Sequence, residues 1–271
     1  MIVTASMLKV KCPRRWYYQY YLWLDPYKPP LYPEPPQALV IGRDFHAVML
    51  KGEQPKTEEA AVMKLAHDKT EFETRIRLLE TEKFVYAEIG EGVTLAGRLD
   101  GICELEDGTK AIYELKTSYT RPSEAYWHQK QLDAQLFAYS YMTGIYTVVL
   151  DFVRIPSLSR TKHSDNWFQA CLKDMHDRAE TYFFRFVVQN DPEQVDEFIE
   201  EVKVWVDMLR LQLARGIFFR ARSECNEYNR TCPYWTLCAR KAKPEDCVKA
   251  IPYEELRPEV EELLAKEEVP I

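Results

Sequence analysis

A carboxylate and a lysine alternate near the middle of this sequence, in Glu114-Leu115-Lys116. Side chains at i and i+2 of a strand project to the same face, so Glu114 and Lys116 would stand together while Leu115 turns toward a core. A second carboxylate, Asp100, lies shortly before them. Two adjacent carboxylates repel each other unless a cation separates them, and oxygen ligands suit Mg²⁺ or Mn²⁺. The pattern indicates a metal that activates water, with Lys116 placed to neutralise developing charge.

The turn between the two segments decides whether Asp100 can reach Glu114. Asp107-Gly108 favours a hairpin, because glycine accepts the positive φ that tight turns require. A two-residue loop would pair Asp100 with Leu115, on the wrong face, whereas a three-residue loop with a bulge moves the pairing by one residue. A shared site therefore requires an odd loop or a bulge. Without it, the residues suit a surface hairpin with an ordinary ion pair.

The segments around this hairpin alternate between helical and strand-like patterns. The sequence predicts helices over about 4–24, 57–81, 122–143 and 192–215, a helix carrying Gly42 to His46, strands from about 83 to 116 and at 146–155, and an extended proline-rich loop at 25–36. This alternation predicts an α/β fold with a central mixed sheet flanked by helices.

Length, charge and hydropathy limit the class of protein. The 271 residues are 46% hydrophobic and 29% charged, which predicts a soluble protein with a single domain over 1–250 and an acidic tail over 251–271. We see no apolar run of transmembrane length and no secretory signal, so we expect a cytoplasmic protein without a membrane partner. The net charge of −7 argues against coating nucleic acid through bulk charge.

Seven cysteines are unevenly spaced along the chain. Cys225, Cys232, Cys238 and Cys247 crowd toward the end, and Cys12 lies near the start. An odd number in a reducing compartment argues against a disulfide framework, and clustered thiols suggest an iron–sulfur cluster or another metal. Four thiolates also suit tetrahedral zinc, and free thiols are the third alternative.

Four motifs, taken in order, resemble the RecB-like branch of the PD-(D/E)XK nuclease superfamily. They are Gly42-x-x-x-His46, Gly97-x-x-Asp100, Glu114-x-Lys116 and Gln135-x-x-x-Tyr139. The resemblance covers roughly residues 42–139 and implies a restriction-endonuclease-like fold. It also implies a DNA exonuclease that prefers single strands or DNA ends and acts in recombination, repair or CRISPR spacer acquisition.

The resemblance implies a role for each motif residue. It makes His46, Asp100, Glu114 and the backbone carbonyl of Leu115 the ligands of Mg²⁺ or Mn²⁺, and Lys116, Glu114 and Asp100 the catalytic groups. Gln135 and Tyr139, one helical turn apart, are expected to order the site or to contact the DNA strand. An endonuclease and a non-catalytic DNA-binding scaffold subunit remain as alternatives, and the intact motif set argues against the second.

One N-terminal cysteine and three C-terminal ones resemble the iron–sulfur branch of these nucleases, which includes CRISPR-associated adaptation exonucleases and phage relatives. The resemblance implies a [4Fe–4S] cluster on Cys12, Cys225, Cys232 and Cys238, in a lobe made by residues 1–24 and 216–247. The six residues between Cys225 and Cys232 exceed the commonest spacing, which leaves Cys247 as an alternative to Cys12. Arg14 and Arg15 are expected to contact DNA phosphates, and a homo-oligomer or a recombination or CRISPR adaptation protein is a possible partner.

Overall fold

The computed structural model describes residues 1–31, 35–90, 92–162, 165–227, 230–252 and 259–262. Its helices and strands are, in chain order, β1 (Ile2–Thr4), α1 (Ala5–Leu8), α2 (Pro13–Trp16), a π-helix (Tyr17–Tyr21), α3 (Gln37–Lys51), α4 (Glu58–His67), β2 (Ile76–Gly90), β3 (Val93–Leu105), β4 (Lys110–Ser118), α5 (Glu124–Lys130), α6 (Ala134–Thr143), β5 (Thr147–Arg154), α7 (Trp167–Asp177), β6 (Phe183–Gln189), α8 (Pro192–Arg215), β7 (Asn226–Glu227), β8 (Arg230–Thr231) and α9 (Trp235–Cys238). Short 3₁₀ turns lie at Ala179–Thr181, Arg222–Cys225 and Pro244–Asp246. Within the described ranges no helix is long and apolar enough to span a membrane.

Six strands form one mixed sheet. Its order is β1-β3-β4-β5-β6, and β2 pairs with β3 in addition. The β1–β3 and β4–β5 pairs are parallel, whereas β3–β4 and β5–β6 are antiparallel. The predicted α/β class with a central mixed sheet is thereby confirmed.

The chain divides into two compact units. The first contains Met1–Pro35, Tyr86–Gly97 and Asp196–Ile271, and the second contains Pro36–Val85 and Arg98–Val195. All residues of the predicted catalytic site belong to the second unit, and all cysteines of the predicted cluster belong to the first. Of the predicted acidic tail, only residues 251–252 and 259–262 are described; the rest of that prediction lies outside the described residues.

The core of the second unit lies between its strands and helices α3, α4 and α7. Leu115 of β4 packs there with Phe45 of α3, Met63 of α4 and Met175 of α7. Successive residues of a strand face opposite sides. The burial of Leu115 in this core therefore turns Glu114 toward the other face of β4.

A proline interrupts the predicted helix over 4–24. Cys12 is extended, with φ −97° and ψ 109°, and α2 begins only at Pro13. Proline lacks an N–H and its ring disfavours helical geometry in the preceding residue. The prediction of one continuous helix was wrong, because the segment contains α1, α2 and a π-helix.

Two other predicted helices are shorter than expected. The helix over 57–81 ends at His67, and β2 begins at Ile76 because this segment pairs with β3; tertiary pairing outweighs local propensity there. The helix over 122–143 is two helices, since Asp133 caps the second by accepting the N–H of Gln135 at 2.9 Å. Helix α8 and strand β5 agree with their predicted ranges.

Candidate active site

The turn between β3 and β4 has a three-residue loop, residues 106–108. The N–H of Leu105 donates to the carbonyl of Thr109 at 2.9 Å and closes the loop. The Asp107 side chain accepts the N–H of Thr109, also at 2.9 Å. Gly108 has φ +84°, a conformation that glycine adopts without a steric penalty. The sequence prediction of an odd loop at this position is confirmed.

This loop produces the register that a shared site requires. Gly101 pairs with Tyr113 at the end of the paired segment, and Asp100 and Glu114 are the next residues of the two strands. A hydrogen bond from the Leu115 N–H to Asp100 Oδ2, 2.7 Å long, also joins the two strands here. The two carboxylate-bearing residues are therefore neighbours across the hairpin, as predicted.

His46 reaches Asp100 because α3 lies close to β4. A Cβ at Gly42 would come within 2.7 Å of Thr117 Oγ1, so a larger residue would require the Thr117 side chain or the helix to shift. One helical turn after Gly42, His46 Nδ1 lies 3.6 Å from Asp100 Oδ1. The spacing Gly42-x-x-x-His46 thus has a steric reason in this fold.

The surroundings of Asp100 favour its ionised form. Burial opposes ionisation, but the hydrogen bond and charge of His46, the charge of Lys116 and the Leu115 N–H together hold the pKa of Asp100 below its ordinary value. Asp100 is therefore an anion at neutral pH and can serve as a ligand of a cation.

Glu114 and Lys116 form a contact on one face of β4. The Glu114 side chain is only 1% exposed, and its Oε1 accepts a hydrogen bond from Lys116 Nζ. Burial by itself would lower the pKa of Lys116, but the charges of Glu114 and Asp100 and the hydrogen bond raise it above its usual value. Lys116 is therefore a cation in this structure and is not prepared to remove a proton.

Gln135 and Tyr139 of α6 bond to each other. Gln135 Nε2 donates to the Tyr139 hydroxyl at 2.9 Å, and that hydroxyl donates to the Arg98 carbonyl at 2.7 Å. Tyr139 is 3% exposed and its hydroxyl is occupied by these bonds. These two linked hydrogen bonds hold the β3 backbone at Arg98, two residues before Asp100. They favour an ordering role for Tyr139. DNA contact by Gln135 and Tyr139 stays a prediction.

Asp133 is a polar residue near the site that sequence reasoning did not single out. It caps α6 and contacts Lys130. The Asp133 charge raises the pKa of Lys116, but less than the charges of Glu114 and Asp100 do, whereas burial lowers it. An aspartate just before a helical pattern is a capping signal, which could have revealed its structural role but not its nearness to Lys116.

The donor chemistry of the site fits a hard divalent cation. Asp100 and Glu114 offer carboxylate oxygens, Leu115 a backbone carbonyl and His46 an imidazole nitrogen, a set that suits Mg²⁺ or Mn²⁺. Within the described part of the chain, however, no group of three or more His, Cys, Asp or Glu side chains could hold a metal ion as placed. The carboxylates contact His46 and Lys116 instead.

Three of the predicted cluster ligands, Cys12, Cys232 and Cys238, lie near one another in the first unit. Burial raises the pKa of the Cys232 thiol, and Cys238 and Cys12 are among the groups that add to the rise. Cys225 joins them through its carbonyl, which accepts the Cys232 N–H at 3.0 Å. Cys247 packs in the same apolar cluster as Cys232 and Cys238, but its thiol donates to a backbone carbonyl at 3.4 Å. Among the described residues these thiols are not placed as a metal-binding group, and the choice between Cys12 and Cys247 as the fourth ligand stays a prediction.

The two arginines beside Cys12 make contacts within the first unit. Arg14 Nε donates to the Phe218 carbonyl at 2.9 Å, and its guanidinium lies 6.0 Å from the centre of the Tyr18 ring. Arg15 Nε donates to Gln19 Oε1 at 3.3 Å. Arg14 thus ties α2 to the segment after α8, and DNA contact by either arginine stays a prediction.

The chain belongs to the PD-(D/E)XK nuclease superfamily. The model of this family matches residues 50–239, more than half of the chain. The match includes the hairpin with Asp100, Glu114 and Lys116, whereas His46 and Cys12 lie before it. A search of curated proteins found no match.

Several solved structures resemble the chain at low similarity. An alkaline exonuclease from Laribacter hongkongensis is 12% identical with a TM-score of 0.38, over 79% of this chain and 90% of that one. A phage-related exonuclease from Haemophilus somnus 129PT is 14% identical with a TM-score of 0.32, over 65% and 83%. The protein SSO0001 is 17% identical with a TM-score of 0.40, over 75% and 76%. At such values the likeness carries no information on chemistry.

Proposed function

We propose that this chain is a metal-dependent DNA exonuclease that hydrolyses phosphodiester bonds and prefers single-stranded DNA or DNA ends. Membership of the nuclease superfamily supports a nucleic-acid substrate. The observation that carries the proposal is the hairpin register, which makes Asp100 the neighbour of Glu114, with Lys116 in contact with Glu114.

In this proposal, Asp100, Glu114, His46 and the carbonyl of Leu115 hold Mg²⁺ or Mn²⁺. Such a cation, when bound, activates water and stabilises the charge of the phosphodiester. Asp100 is ionised at neutral pH because its pKa is lowered. Lys116 is protonated, so it attracts the anionic phosphate oxygens rather than removing a proton.

Residues outside the proposed metal-ligand set orient the site or attract the substrate in this proposal. Tyr139, with Gln135, holds the backbone of β3 next to Asp100. Arg14 and Arg15 of the first unit attract the DNA backbone. The resemblance to RecB-like nucleases supports a role in recombination, repair or CRISPR spacer acquisition in the cytoplasm, with a homo-oligomer or an adaptation protein as partner.

Digestion of end-labelled DNA tests the activity. We expect the purified protein with Mn²⁺ to release short products progressively from one end of labelled single strands, and less readily from duplexes. Glu114→Gln and Lys116→Met should lower the rate by about 10²–10³-fold, because each removes a charge that stabilises the transition state. Glu104→Gln is the matched control, since Glu104 lies on β3 and pairs with the exposed Arg77 at 2.9 Å.

The same assay distinguishes the alternatives. Digestion that neither substitution slows would show that the site is assigned wrongly. Internal cuts without progressive shortening would indicate an endonuclease. Binding of DNA by the wild-type protein without any digestion would favour the non-catalytic scaffold.

We further propose that Cys12, Cys225, Cys232 and Cys238 bind a [4Fe–4S] cluster with a structural role. Cys12 adds to the raised pKa of both the Cys232 and the Cys238 thiol, which supports the nearness of these three residues, and thiolates are the ligands such clusters require. Protein purified without oxygen should contain iron and acid-labile sulfide in equal amounts. Stoichiometric zinc in place of iron would contradict the cluster.

A further inference from the structure

Two cations of the second unit converge on one carboxylate oxygen. Lys51 Nζ lies 3.4 Å and Arg98 Nη1 lies 3.7 Å from the same atom, Glu82 Oε2. The lysine and the arginine carry one positive charge each, and the carboxylate carries one negative charge. All three side chains are partly accessible to solvent, so another anion could reach the two cations.

The carboxylate is presented from an unusual backbone conformation. Glu82 has φ +52°, a left-handed conformation that is unfavourable for a residue with a Cβ. Its strand β2 lies close to β3, since a Cβ at Gly101 would come within 2.7 Å of the Glu80 carbonyl oxygen. Backbone strain of this kind is common at functional sites. Here the strained residue lies on β2, which packs against Gly101, the residue after Asp100.

The two cations lie on the elements that carry the predicted metal ligands. Arg98 and Asp100 are two residues apart on β3 and share one face, because Leu99 between them is 0% exposed. The Arg98 backbone is held by the Tyr139 hydroxyl. Lys51 is the last residue of α3, the helix of His46. A group bound between Lys51 and Arg98 would therefore contact the strand of Asp100 and the helix of His46.

We propose that Lys51 and Arg98 bind a phosphate of the nucleic-acid substrate, and that Glu82 occupies this position in the free protein. A phosphodiester is an anion with two accessible oxygens, which suits an arginine fork together with a lysine. The phosphate replaces the Glu82 carboxylate when the substrate binds. This inference rests on the proposed function and names the residues that position the substrate backbone.

Affinity measurements without cleavage test this exchange. Fluorescence anisotropy of a 3′-labelled single strand, with Ca²⁺ in place of Mg²⁺ or Mn²⁺, reports binding alone. We expect Arg98→Gln and Lys51→Gln each to raise Kd about tenfold, because each removes a charge-assisted contact. Arg98→Lys should recover part of the loss, since it keeps the charge.

The substitution of Glu82 should act in the opposite direction. Glu82→Gln keeps the size of the side chain and removes the competing anion, so we expect Kd to fall about threefold to tenfold. Glu104→Gln is the matched control. It removes a partly exposed carboxylate that pairs with Arg77 of β2, and its Kd should stay at the wild-type value.

Salt dependence and the state of the 5′ end identify the phosphate. The slope of log K against log salt should decrease by about one in each cation variant. If Arg98→Gln removes the difference in Kd between 5′-phosphorylated and 5′-hydroxyl strands, the bound group is the terminal phosphate. An internal phosphate is indicated if both strands lose affinity equally; either result supports the proposal.

Two results would overturn the inference, and they differ from failure of the proposed function. Wild-type affinity in both Arg98→Gln and Lys51→Gln would show that the pair binds no phosphate. Weaker binding by Glu82→Gln would show that the carboxylate does not compete with the substrate. A wild-type protein that neither binds nor cleaves DNA would instead contradict the proposed function itself.

Discussion

Asp151 is a buried charge of the second unit that lies outside the catalytic set. Its Oδ2 accepts the Tyr113 hydroxyl at 2.9 Å and Arg185 Nη2 at 2.5 Å, and His67 Nε2 lies 3.2 Å away. Burial opposes ionisation, but His67 and Arg185 hold the pKa of Asp151 below its ordinary value. Because the Arg185 side chain is only 7% exposed, the guanidinium depends on this carboxylate for compensation.

Removing the charge of Asp151 should destabilise the protein. We expect Asp151→Asn to lower the free energy of unfolding by about 3–5 kcal/mol, since it leaves Arg185 buried without its counter-charge. Urea unfolding at neutral pH measures the loss. Glu104→Gln breaks an exposed ion pair and should change the free energy by about 0.5 kcal/mol or less. A loss of under about 1 kcal/mol in Asp151→Asn would contradict this account.

The pH dependence of that loss follows from the lowered pKa. A carboxylate whose pKa is lower in the folded state stabilises the protein above its unfolded pKa, near 3.9. This stabilisation disappears as the pH falls through the folded-state value. The difference between wild type and Asp151→Asn should therefore be full at neutral pH and shrink below about pH 4. An unchanged difference in acid would show that lost packing, rather than lost charge, is responsible.

At the level of elements, the β3–β4 turn controls the site. Residues 106–108 and the positive φ of Gly108 set the register that places Asp100 opposite Glu114. A shift by one residue would turn every side chain of one strand to the other face. In the proposed function the turn would therefore affect catalysis, although it lies several residues away from the carboxylates.

Two substitutions of Gly108 separate backbone strain from side-chain contacts. A Cβ at this position meets no atom within 4 Å, so only the backbone conformation matters. Gly108→Val should lower the free energy of unfolding by about 1–2 kcal/mol, because valine strongly disfavours positive φ. Gly108→Asn should lose less, since asparagine tolerates this conformation. Equal losses in denaturant unfolding would contradict the role of positive φ.

At the scale of the whole molecule, charge and cysteines are unevenly distributed. The chain has a net charge of −7, but Lys51, Arg98 and Lys116 bring positive charge to the proposed site. Affinity for DNA would thus depend on local cations rather than on total charge. The cysteines of the proposed cluster are confined to the first unit, which contains both ends of the chain.

Matched cysteine variants extend the cluster prediction to the stability of the molecule. We expect Cys12→Ala to lose iron and to unfold at a lower temperature, because cluster binding contributes to the free energy of folding. Cys247→Ala should retain its iron, since the Cys247 thiol is bonded to the Lys243 carbonyl. Thermal unfolding and iron analysis under anaerobic conditions measure both effects. Loss of iron in Cys247→Ala alone would reverse the ligand assignment.

The sequence alone was sufficient for the features that depend on short separations along the chain. Strand alternation placed Glu114 with Lys116. Asp107-Gly108 predicted a hairpin but left its loop length open, and the odd loop was a condition for Asp100 to share a site with Glu114. The mixed α/β sheet followed from the alternation of segments. These predictions succeeded because hairpin register and strand faces are determined by residues close to one another in sequence.

Only the tertiary structure decided which distant groups meet. It buried Tyr139 against Arg98, paired Asp151 with Arg185 and set Glu82 between Lys51 and Arg98. These contacts join segments that are far apart in sequence, and their geometry depends on how helices and strands pack. The hairpin carboxylates were thus foreseeable from local rules, whereas the charges that surround them were determined by packing across the second unit.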